Sequence, residues 1–265
     1  VELVNYSINP FYYTPFPLNL IISKKYPKNS LVICISKKLE ITCKEKGIRN
    51  LWYRPNPVNE NLFNLRKPKI SKLDLFGFNE NDIVILHLAK FIPRKKQDFM
   101  LQVLKYLPER YKLVLAGPYE TLGIHSNRDV SYFKSLENIA KELGIKNRIR
   151  IIPQYISDPD TYMKRCDIFV LPSINEGLGT TILEALACGK QVITNRIEFV
   201  FDVWIKDGVN GKMIELEPEM WASEILKINI INKYNPEVSS KKILDVASTE
   251  TIDLEYYKRM RHLIN

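Results

Sequence analysis

The residues with the most chemical potential sit in "NEGLGTTILEALACGK", residues 175–190. Glu176 precedes a glycine-bracketed turn, and Glu184 follows eight residues later inside a short apolar helix. The start of such a helix offers free amides and the positive end of a dipole, both of which favour an anion. Gly177 and Gly179 would let a ligand approach the backbone there. Glu184 has two readings: Thr181 with Glu184 three residues on also fits a capping box, in which the glutamate returns to the helix start. Glu176 has no comparable structural role, so on its turn it is either solvated or faces a ligand.

A second cluster is "LAKFIPRKKQD", residues 88–98. Lys90 closes an apolar strand and Lys95 begins the next helix. Two ammonium groups at a sheet edge could clamp a diphosphate, and the same run also reads as a solvated basic loop. In "DPD" (158–160) the pattern would suit a metal-bridged sugar nucleotide, but Pro159 reads as the first residue of a helix with Asp158 as its cap. No G-x-G-x-x-G and no G-x-x-x-x-G-K-[ST] occurs, which removes the main support for dinucleotide and P-loop readings.

Cys34, Cys43, Cys166 and Cys188 show no C-x-x-C spacing and sit among apolar neighbours, so they read as buried free thiols. His87, His125 and His262 form no ligand set, and no metal is expected. His87, within "IVILHLA", reads as a hydrogen-bonded core or edge residue. The net charge of +9 is spread along the chain without an arginine-rich arm, so nucleic acid is not an expected partner. No apolar run approaches the ~20 residues of a membrane span. The opening "VELVNYSINPFYYTPFPLNLIISKKYP" lacks a basic n-region and is broken by prolines. The expectation is a cytoplasmic protein.

These groups need a scaffold. "SLVICIS" reads as a buried strand, followed by the amphipathic helix "KKLEITCKEKG", the strand "NLWY", and a crossing at Pro55 and Pro57. From residue 83 onward strands and helices alternate: "IVILHL", "QDFMLQVLKYL", "YKLVLAG", "SYFKSLENIAKELG", "RIRIIPQ", "DTYMKRC", "DIFVLPS", the glycine turn with its helix, and "KQVITN". Continuous apolar strands separated by helices predict an α/β fold with a parallel sheet covered on both faces. Ligands bind such sheets at the carboxyl ends of strands, here near Lys90, Gly117, Tyr155 and Ser173. The tail from Pro218 reads as helices.

"PSINEGLGTTILEALACGKQVI" resembles the E-x7-E segment of the family 4 retaining glycosyltransferases, which have the GT-B fold. The order of "LAKFIPRKKQDFMLQVL", "YKLVLAGP" and "NRIRIIPQYISDPDTYMKRCDIFVLPS" is similar to that family's nucleotide-sugar domain, and "ISKKLEITCKEKGI…RPNPVNENLF" to its domain crossing. The resemblance covers roughly residues 31–211. It implies a GT-B-type Rossmann-like sheet with a truncated or much reduced N-terminal domain: 1–57 as acceptor-side remnant and crossover, 58–217 as nucleotide-sugar domain, and 218–265 as C-terminal helices. It implies transfer of a hexose from a UDP- or GDP-sugar to a glycan, lipid or protein acceptor with retention, without a required cofactor. Sugar-nucleotide epimerisation and a donor-binding module dependent on a partner chain are the alternatives. Peripheral membrane contact and homo-oligomerisation stay open.

Residue by residue, the resemblance gives Glu184 the ribose hydroxyls and Glu176 the donor sugar, helped by amides of Gly177, Leu178 and Gly179. Amides of Thr180 and Thr181 would meet the diphosphate, with Lys90 and Lys95 as its basic ligands. Tyr155 and Ile156 lie where the base packs. Two departures stand out. The family's Gly-Arg-Leu is Ala89-Lys90-Phe91 here, which keeps the charge but loses the guanidinium fork, and the aromatic after the first glutamate and glycine is Leu178.

Overall fold

The computed structural model of the chain describes residues 3–6, 31–228 and 234–264. The opening segment therefore lies outside the described residues, apart from β1 (Leu3–Tyr6). β1, β2 (Leu31–Cys34) and β3 (Leu51–Tyr53) form a three-stranded parallel sheet in that order, with α1 (Lys37–Glu45) between the last two.

The second sheet contains β4 (Ile83–Leu88), β5 (Tyr111–Ala116), β6 (Ile149–Ile152), β7 (Ile168–Leu171), β8 (Gln191–Thr194) and β9 (Gly211–Met213). All its pairings are parallel, and the spatial order is β6-β5-β4-β7-β8-β9. The order reverses between β4 and β7, which is the switch point where open α/β sheets hold their ligands.

Alternation along the strands distributes two cores. Val84, Leu86, Phe169, Leu171 and Val192 face a cluster with α5 (Pro159–Arg165), α6 (Thr180–Ala187) and α8 (Pro236–Ala247). Ile85, Leu113, Leu115, Val170 and Ile193 face α3 (Gln97–Lys105), α4 (Ser126–Glu142) and α7 (Pro218–Ile228), where Trp221 is fully buried. α2 (Lys72–Phe76) sets the near end of the sheet: the buried Lys72 Nζ donates to Asp167 Oδ2 at 2.8 Å, and the same oxygen accepts from the Val84 amide at 2.7 Å.

The two sheets are tied by the chain that crosses between them and by the chain that returns. The Val58 amide donates to the Ala247 carbonyl at 2.7 Å, and the Lys38 amide to the Phe199 carbonyl at 3.1 Å. Farther on, α9 (Thr249–Ile264) brings Tyr256 to 5.9 Å from Trp52 and Arg259 over the same indole at 4.8 Å.

Several sequence expectations need correction. α4 starts at Ser126, five residues before "SYFKSL". Lys95 lies in a 3-10 turn, Pro93–Lys95, and α3 begins only at Gln97. Asp158 precedes α5 with Pro159 in its first turn, but its side chain makes no cap hydrogen bond. His87 is buried, yet neither ring nitrogen has a hydrogen-bond partner. Burial, with a smaller contribution from the Lys95 charge, pushes its pKa down to about 3, so the ring stays neutral. All four cysteines are free and buried, as expected. No described helix is long and apolar enough to cross a membrane.

Candidate functional site

The loops after β4 and β7 meet at the switch point. The Arg94 guanidinium donates to the Asn175 carbonyl at 2.8 Å, and the Ile174 amide donates to the Arg94 carbonyl at 3.0 Å. This crosslink holds Lys95 against Glu176: Lys95 Nζ donates to Glu176 Oε1, while Arg94 lies 3.6 Å from Oε2. The Glu176 side chain is only 8% exposed. Glu176 is therefore not a solvated carboxylate: it is the counter-ion of an enclosed ammonium. Burial pulls the Lys95 pKa down and Glu176 pushes it back up. A buried charge needs such a partner.

Behind Glu176 the turn closes into α6 at Gly179, whose φ of 71° lies in the left-handed region. A Cβ there would come within 2.6 Å of Phe201 Cε1. Gly179→Ala is therefore expected to lose about 1–3 kcal/mol of stability from backbone strain and crowding. An unchanged urea midpoint would contradict that. Gly179 is also the helix N-cap, and no side chain caps the helix. The amides of Thr180 and Thr181 begin the helix with no acceptor among the described residues, the arrangement that binds anions. Thr180 Oγ1 accepts from Asn56 of the crossover at 3.5 Å.

With the N-cap at Gly179, the capping-box reading of Glu184 fails: the residue sits in the second turn of α6 and cannot return to the helix start. No hydrogen bond or ion pair reaches its carboxylate among the described residues. Burial alone raises its pKa to about 7.

Lys90 takes a different partner. Its ammonium is paired with Glu120 in the loop after β5, and Asp129 Oδ2 of α4 lies 3.4 Å away. Gln97 holds the Lys90 carbonyl at 3.0 Å. Gly117 closes this corner: a Cβ would run into the Ala89 carbonyl, so the β5 end can approach Lys90 only as glycine. Of the two residues expected at the base, Tyr155 is 78% exposed on the loop after β6, whereas Ile156 belongs to the core. Leu178 is also a core residue, and Gly177 is partly exposed beside it. Sequence reasoning missed Arg94, Glu120, Arg128 and Asp129. Arg94 stood within the basic run, and Asp129 in a helix's first turn was the remaining signal. Among the described residues no group of three or more His, Cys, Asp or Glu side chains could hold a metal ion.

A family model described as glycosyl transferases group 1 matches residues 72–247. The chain is 26% identical over 178 residues to D-inositol 3-phosphate glycosyltransferase of Mycolicibacterium vanbaalenii, covering 65% of this chain and 38% of that protein. It is 27% identical over 211 residues to the capsular polysaccharide biosynthesis glycosyltransferase CapH of Staphylococcus aureus, covering 75% and 57%. The chain thus spans less than two thirds of either relative. Among solved structures, HepE of Anabaena in complex with UDP and glucose superposes with a TM-score of 0.83 at 21% identity, covering 98% of this chain and 71% of HepE. Sucrose-phosphate synthase of Thermosynechococcus elongatus gives 0.82 at 18% identity, with 99% and 67% covered. At these identities the structural likeness speaks for the fold, the parallel sheet and flanking helices of GT-B glycosyltransferases.

Proposed function

The chain belongs to the glycosyl transferases group 1 family, and from that premise we propose that it carries the donor side of a retaining hexosyltransferase. Its donor is a nucleotide diphosphate sugar, UDP- or GDP-linked, and its acceptor a hydroxyl of a glycan, lipid or protein. The observation that carries this reading is the meeting of Lys95, Arg94 and Glu176 beside the uncapped start of α6, at the switch point of the sheet. A diphosphate fits amides and ammonium groups there, and Glu176 stands one turn away for the sugar. HepE, described with UDP and with UDP-glucose, is a fold neighbour consistent with that chemistry.

In this reading Thr180 and Thr181 amides, Lys95 and Lys90 hold the diphosphate, and Glu184 accepts from the ribose hydroxyls. Tyr155 packs on the base, and the buried Ile156 supports that loop from below. The acceptor hydroxyl attacks the anomeric carbon from the face on which the phosphate oxygen departs, so configuration is retained. Charge grows on the leaving diphosphate, and these cations and dipoles stabilise it more than the ground state. Residues 58–217 form the nucleotide-sugar part, 1–57 the acceptor side and crossover, and 218–265 the closing helices. Since the chain covers only 38% and 57% of two relatives, a second reading is a donor-binding unit that needs further chain for transfer.

Calorimetry with UDP and GDP tests both readings: one nucleotide is expected to bind at micromolar to millimolar concentration. Release of UDP from UDP-glucose with added acceptors then separates turnover from binding alone. Absence of binding by either nucleotide at millimolar concentration would remove the phosphate site.

A further inference from the structure

The corner around Lys90 contains a second cation that no motif identifies. Arg128 donates through Nε to Asp129 Oδ1 at 2.8 Å, and its Nη2 lies 2.7 Å from the same oxygen. The other oxygen of that carboxylate faces Lys90 Nζ at 3.4 Å. One carboxylate thus bridges the two cations and keeps them side by side. Asp129 is fully buried, whereas the Arg128 side chain is half exposed. A buried carboxylate fixed between two cations is a rigid tether, and the guanidinium it holds remains open to solvent.

The charges in this corner come in two kinds. Asp129 is enclosed and Oδ2 has no hydrogen-bond partner at normal distance, so it has room to accept Lys90 more closely. Glu120 is 40% exposed and is the carboxylate that an incoming anion would displace from Lys90. After such an exchange Lys90 and Arg128 would present an ammonium and a guanidinium to the same anion. Lysine at position 90 lacks the planar fork that matches phosphate oxygens. Arg128 supplies one from the adjacent helix.

We propose that Arg128, tethered by Asp129 beside Lys90, is a phosphate-contacting residue of the donor site and provides its guanidinium fork. The inference rests on the donor reading above. It assigns Asp129 a positioning part, since that carboxylate touches both cations and is too enclosed to meet the ligand.

The test is calorimetry with UDP and with uridine on wild type, Arg128→Ala and Arg128→Lys. Arg128 is exposed enough for both variants to fold, which matching melting curves would verify. Arg128→Ala is expected to weaken UDP about tenfold and to leave uridine unchanged, because a charge-assisted contact to phosphate is lost. Arg128→Lys should recover only part of the UDP affinity. Unchanged UDP affinity in Arg128→Ala, an equal loss for uridine, or full recovery by lysine would each overturn the inference while leaving the donor reading intact. If wild type binds GDP rather than UDP, GDP and guanosine take the places of UDP and uridine with the same expected outcomes; if it binds neither, the donor reading itself fails and takes this inference with it.

Discussion

Glu176→Ala is expected to slow hexose transfer from UDP-glucose by about 10²–10³-fold, with UDP affinity within about threefold of wild type. The reason lies in the pairing of Glu176 with Lys95. Removing the carboxylate takes away the group assigned to the sugar but leaves the ammonium free to meet phosphate, so binding survives. Stability should suffer as well, because Lys95 is largely enclosed and would lose its counter-ion. An enclosed lysine whose pKa is depressed binds fewer protons folded than unfolded, so this loss should shrink as pH rises. Glu176→Gln, which can still accept from Lys95, should keep more of the stability than alanine does. Transfer at the wild-type rate by Glu176→Ala would exclude the catalytic role.

Glu184→Gln is expected to stabilise the empty protein at pH 8 and to impair nucleotide binding. Burial raises the Glu184 carboxyl to about 7, against about 4.3–4.5 for an unfolded chain. Between those values the folded protein holds a proton that the unfolded chain has released. The stability linked to that proton is fully present below about pH 4.5. It is lost as pH rises through about 7, by up to about 3 kcal/mol. Glutamine cannot ionise, so its melting-temperature advantage should appear at pH 8 and vanish near pH 4. A gap independent of pH would contradict the assignment. With ribose hydroxyls donating to the ionised carboxylate, wild-type UDP affinity should rise through pH 7. The variant should lose that rise along with about tenfold in affinity.

Most strands of the larger sheet were legible because they are largely apolar runs: "IVILHL" is β4 from its first residue to its last. β9 was not, since "GKM" is three residues long and carries no period, and α2 is one short turn in a polar segment. The helix after Glu176 was legible, but its first residue was not. A left-handed Gly179 ends the turn earlier than Thr181 would, and that shift removes the capping role of Glu184. The ion pairs were out of reach for a different reason. Lys95 and Glu176 are 81 positions apart, and only the adjacency of β4 and β7 brings them together. The same holds for Lys90, whose partners come from the loop after β5 and from α4 rather than from the β7 side. Spacing revealed which residues could do chemistry, whereas the strand order decided which of them meet.

The most direct test of the donor site is a crystal of the protein soaked with UDP. The ribose should lie on Glu184, and the diphosphate should cross the start of α6 between Lys90 and Lys95, with Glu120 displaced from Lys90. UDP bound elsewhere, for example in the groove of about 680 Å³ lined by Lys212, Met220 and Lys227, with the switch-point loops empty, would contradict it.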